Sequence, residues 1–140
     1  MILHCNFEEL GALRKGAQSL LGHPPREGAP VVAPPEGREE VEALLPLLSG
    51  DLVFETLADQ RSVLKGVMAI VTRLREDMEI TILAAHPADE TAVASYFLYA
   101  HALGVLNRVV EVGQEMEALI EIMTGTPASD EAAATFRFPD

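Results

Sequence analysis

TLADQRSVLKGVMAIVTRLREDMEITILAAHPAD, residues 56–89, decides how the rest of the chain is read. Leu57, Leu64, Met68, Val71, Leu74, Met78 and Ile82 fall near one face of a helix, with Arg61, Lys65, Arg73, Glu76 and Glu79 mostly on the other. Thr56 and Asp59 have the spacing of a capping box, although the box proper takes Glu or Gln at its third residue. The phase holds to Ala85, where His86-Pro87 breaks it, because a residue before proline is pushed out of the helical region. A second helix starts at once: Pro87 suits a first helical position, and Asp89 and Glu90 complement the new N-terminus. Val93, Phe97, Ala100, Leu103, Leu106, Val110, Gly113, Met116, Ile120 and Met123 then recur at three–four spacing until Gly125 and Pro127 end the pattern. The stretch 56–125 therefore reads as a long antiparallel helical hairpin.

A competing parse cuts both helices. Glu79–Ala85 and Asn107–Val112 are rich in β-branched residues, and strands there would give a doubly wound parallel α/β sheet. Phase argues against it, since a strand insertion should scramble the 3.6-residue period, yet the apolar positions run through Met78–Ile82 and Leu106–Val110–Gly113 without a slip. A central parallel strand would also bury Arg108 and Glu111. The junction Arg75-Glu76-Asp77-Met78-Glu79 contains no glycine, asparagine or proline to turn the chain. The hairpin is the preferred reading.

Helices of about 29 and 37 residues would be roughly 43 and 55 Å long. A compact domain of this length is only about 37 Å across. The hairpin would then protrude, carrying leucine, valine and methionine that one small N-terminal layer cannot cover. Pairing two hairpins into a four-helix bundle covers them, so a homodimer is expected, with Leu103, Leu106, Val110, Met116 and Ile120 as its interface. The alternative is that the helices kink at Gly66, Gly104 or Gly113 and fold back on their own chain.

Residues 1–55 read as a small β/α layer. Ile2-Leu3-His4-Cys5 suits a strand, Asn6 an N-cap, and Leu10, Leu13, Ala17, Leu20 and Leu21 a helix stopped by Gly22. Val31-Val32 is a strand-like pair in a proline-rich segment, and Glu36–Leu48 returns to helical spacing, shortened by Pro46. The tail 126–140 ends in Thr135-Phe136-Arg137-Phe138, which alternates like a short strand. The whole of 1–140 makes a single domain, α+β in class.

Composition narrows function. Ten basic against 22 acidic residues give a net charge of −12, which argues against nucleic acid and anionic membrane surfaces as partners. A hydrophobic fraction of 49% supports a packed core and removes wholesale disorder. No apolar run approaches the length of a membrane span, and one cysteine excludes an internal disulfide, which fits the cytoplasm.

The chain holds few motifs of chemistry. It has no G-x-S-x-G elbow, no G-x-G-x-x-G, no Walker A loop and no Glu-x-x-His pair. His4 and Cys5, adjacent in a strand, point to opposite faces and do not share an ion. His101 lies about 18 Å along a helix from Asp89, too far to join it at one metal. Ala84-Ala85-His86-Pro87-Ala88-Asp89-Glu90 resembles the AHPDDE signature of zinc-dependent N-acetylglucosaminyl deacetylases. The resemblance covers about seven residues and implies a preceding strand, His86 and Asp89 as zinc ligands, and Ala88 at the position of the catalytic base. A helix stop at His86, proline opening the next helix and acids in its first turn account for the same residues without metal. Tyr96-Phe97-Leu98-Tyr99 covers the whole circumference of a helix and, with His101 close by, marks Tyr96, Phe97, Tyr99 and His101 as candidates for a ligand pocket. The expectation is a non-enzymatic homodimeric assembly or interaction protein with no cofactor. The alternatives are a small α/β metal-dependent hydrolase using His86 and Asp89, and a helical bundle that binds an apolar small molecule of unknown identity.

Overall fold

In a computed structural model, residues 1–22, 36–84 and 89–139 are described. Two long helices dominate: α3, Leu57–Ala84, and α4, Glu90–Thr124. At 1.5 Å per residue they are about 42 and 52 Å long. Before them come β1 (Ile2–Leu3), α1 (Phe7–Leu21), α2 (Arg38–Leu44), a 3-10 turn at Leu45–Leu47 and β2 (Leu52–Val53), and after them α5 (Asp130–Thr135).

Local sequence fixes most of these ends. Asn6 caps α1 in a full capping box: its side chain accepts the Glu9 N–H, and Glu9 accepts the Asn6 N–H. Thr56 and Asp59 exchange the same reciprocal bonds at the start of α3, each 3.1 Å, so aspartate serves at the third residue. Asp89 is the N-cap of α4, accepting the Thr91 N–H, where the sequence suggested a place inside the first turn. Pro46 converts the end of α2 into the 3-10 turn, as a residue lacking its N–H should.

The competing doubly wound sheet is overturned. Glu79–Ala84 and Asn107–Val112 are both helical, and the strands described form one antiparallel pair, Ile2 opposite Val53 and Leu3 opposite Leu52. β-Branched side chains at those two places are absorbed by helix packing rather than by pleating. β2 was not expected, because a two-residue strand carries no periodicity of its own. The expected strand at Thr135–Phe138 is also corrected: Ser129 caps α5, which takes in Thr135, and the chain then extends so that the Phe138 N–H donates to the Glu55 carbonyl. Val31-Val32 lies outside the described residues.

α1 packs across α3 and α4, and α2 packs on α3. The core runs from Leu3, Leu13 and Leu44 through Phe54, Leu57, Val67 and Ile70 to Val105, Met116 and Ile120. α3 and α4 run unbroken through their glycines. Gly66 and Gly113 serve close approach instead. A Cβ at Gly66 would stand 3.2 Å from the Glu40 carbonyl oxygen, and one at Gly113 would run into the Gln60 amide. That amide is buried and donates to the Val109 carbonyl at 2.9 Å, tying α3 to α4.

The inward face of each long helix is rotated from the one the spacing suggested. Val67 and Ile70 are wholly buried while Met68 is 52% exposed. Ala102, Val105 and Val109 are buried, whereas Leu103 and Leu106 are intermediate and Val110 is exposed. Alanine, valine and glycine line the seam because two helix axes 8–10 Å apart leave little room for larger side chains. Met123, read as the end of the inward stripe, is 69% exposed. No helix among the described residues is long and apolar enough to cross a membrane.

Candidate functional site

With the small residues turned inward, the larger apolar side chains of α4 face outward. Tyr96, Tyr99, Leu103, Leu106 and Val110 follow a three–four–three–four spacing, the repeat of a helix seam that meets another helix. Tyr99, Leu103 and Leu106 form one wall of a groove whose other wall is Met68, Val71 and Arg75 of α3; its hollow is about 230 Å³, and among the described residues these two helices line it. Toward the hairpin tip the surface continues into a hollow of about 280 Å³ formed by Ile82, Ala92, Val93, Tyr96 and Phe97. Tyr96 and Phe97 meet edge to face with ring centroids 5.9 Å apart.

Among the described residues of the tip, 78–84 and 89–97, Ala92 alone is buried. Ile80 and Leu83 are 65% and 88% exposed. Ser19 of α1 donates to Asp77 at 2.7 Å and accepts from Arg73 at 3.0 Å.

The sequence candidates therefore separate into three groups. Leu103, Leu106 and Val110 lie on the open face. Met116 and Ile120 are fully enclosed by their own chain, so they leave the set available to a partner. Their side chains fill the lower core because α4 turns its inward face to α3 there, in register with Gly113. Tyr96 and Phe97 share one hollow and Tyr99 lines the other, while His101 is half-buried and lines neither. Four residues close in sequence are thus spread around the helix rather than gathered into one cavity.

Chemistry elsewhere is sparse. His86 lies outside the described residues, and the segment leading to it is helical to Ala84 rather than the strand that the deacetylase resemblance implies. Asp89 is engaged as a cap. Among the described residues no three His, Cys, Asp or Glu side chains stand together as a metal site. His4 and Cys5 are held near Asp51: His4 Nδ1 lies 2.8 Å from one carboxylate oxygen, and the Cys5 N–H donates to the other at 3.2 Å. The His4 bond and the Cys5 N–H hold the Asp51 carboxyl below its ordinary value. Burial pushes the Cys5 thiol up, against the pull of nearby Arg108, so this thiol is a poor nucleophile. Arg108 itself donates to the His4 carbonyl at 2.8 Å and pairs with Glu9, pinning β1 and α1 to α4. These polar contacts read as a latch rather than a reactive centre.

Ile80 and Leu83 belong to the exposed apolar surface and were not singled out from sequence. The α4 side of this surface did carry a signal: from Thr91 to Asn107 the chain has no Asp, Glu, Lys or Arg, although 23% of all residues are charged. No known protein family, curated protein or solved structure matches the chain.

Proposed function

We propose that the protein is a non-enzymatic homodimeric assembly or interaction protein that associates through the open face of its helical hairpin. The observation that carries this reading is the heptad-spaced stripe Tyr96, Tyr99, Leu103, Leu106 and Val110, left partly in water after the inward faces of α3 and α4 are filled. Contiguous exposed apolar surface with little charge marks an interaction site more often than a plain surface. The experiment is light scattering at micromolar concentration, where a dimer of the 15.1 kDa chain should appear. Tyr96→Asp with Val110→Asp should return the mass to that of one chain while the helical circular dichroism is kept, since both side chains are exposed in the single chain. A native protein that stays monomeric removes the reading.

A second reading rests on the hollow of Ile82, Ala92, Val93, Tyr96 and Phe97, which is apolar and wide enough for a small hydrophobic molecule. An apolar fluorescent dye whose uptake is lost in Phe97→Asp, with the mass of the protein unchanged, would favour it over self-association.

A further inference from the structure

We infer that the occupant of the open face is a second copy of this chain running in the reverse direction, so that the two hairpin tips lie at opposite ends of the pair. The inference rests on the self-association proposed above and adds the direction.

Area comes first. The tip alone is about 10 Å long and two helices wide, roughly 200 Å² per partner, which is the size of a packing contact rather than a specific interface. Tip and groove together run about 30 Å along two helices, roughly 600 Å² per partner, near the lower bound for a stable dimer. A stable pair must therefore use both, which excludes contact of tips alone. Charge then chooses between the two side-by-side directions. The far end of α4 carries Glu111, Glu115, Glu117 and Glu121, all exposed; Arg61 stands 3.8 Å from Glu117, and no ion pair among the described residues engages the other three. Parallel hairpins would bring both sets of glutamates to one end, within a Debye length or two of each other. Reversed hairpins send them to opposite ends, where each set comes level with Asp89 and Glu90 of the partner's tip instead of a second set of four glutamates. A twofold axis meets both requirements when it crosses α4 between Tyr99, the middle of the charge-free segment, and Leu103, the middle of the apolar stripe. The contact is then isologous, the tip of each copy meeting the groove of the other.

The test is a distance between two identical spin labels in the full chain. Cys5 is the only cysteine and is replaced by alanine; Glu115→Cys then carries the label at an exposed site. The reversed pair predicts roughly 40 Å between labels, and moving the label one turn toward the tip, to Glu111→Cys, should shorten it by roughly 12 Å. Parallel hairpins predict under about 25 Å with no such change, and end-to-end tips about 80 Å. Either of those results overturns the direction and leaves self-association standing. A monomeric mass for the labelled and native chains overturns both.

Discussion

The lower hairpin and its tip are made from the same two helices, yet they solve different problems. Below Asp77 and beyond Leu98, α3 and α4 have α1, α2, the strand pair and the tail around them, and Val67, Ile70, Val105 and Val109 are lost to solvent completely. At the tip, among the described residues, the helices have only each other, and Ile80, Leu83, Tyr96 and Phe97 stay exposed. Helix formation is therefore not evidence of a finished core. Periodicity and caps carry a helix past the layer that covers it, and the excess apolar surface is where a partner is to be sought.

The largest expected effect tests this contrast directly. Phe54 is wholly buried where β2 meets the hairpin, and Phe54→Ala should destabilise the chain by about 3–5 kcal/mol through lost burial and the cavity left behind. Leu83→Ala, at the tip, should change the stability of the single chain by less than about 0.5 kcal/mol. Urea melts at a concentration low enough to keep the chain monomeric measure both. Equal losses at the two positions would mean that the tip is covered within its own chain.

How far the sequence reached follows the same division. The hairpin and the cap at Asn6 were legible because periodicity and capping side chains act over a few residues. The side of each helix that faces inward was not. Val67 and Leu103 are both large enough to be core, and only the crossing of α3 and α4, set by contacts between residues distant in sequence such as Gln60 and Val109, decides which of them is enclosed. Leu103, Leu106 and Val110, read from the sequence as interface candidates, are half-buried or exposed. The error at Met116 and Ile120 came from extending one stripe down a helix whose surroundings change along its length.

Two glycines sharpen the comparison at smaller amplitude. Gly113 lies against Gln60, so Gly113→Ala forces a buried, hydrogen-bonded amide to move and should cost about 1–3 kcal/mol. Gly104, nine residues earlier on the same helix, has nothing within 4 Å of an added Cβ. Gly104→Ala should stabilise the single chain by about 0.5–1 kcal/mol, because alanine holds a helix better than glycine. The same urea melts separate the two, and a loss at Gly104 would place an unseen neighbour against it.

The smallest effect concerns the polar latch at the base. Asp51 has its carboxyl held below the ordinary value of 3.8 by His4 and the Cys5 N–H. A group whose folded value is depressed adds stability that is present above its ordinary value and is lost as the pH falls through the folded one. Acidification below about pH 4 should therefore release this part of the hold on β1 and the segment before β2. His4→Ala removes the largest cause of the depression, so its melting temperature should fall less steeply with acid than that of the native chain. Tyr96→Ala, at the tip and remote from Asp51, should leave the steepness unchanged. Thermal melts between pH 2.5 and 5 give the three slopes. If His4→Ala ran parallel to the native chain, the bond at 2.8 Å would not be what holds Asp51, and the Cys5 N–H alone would have to account for the depression.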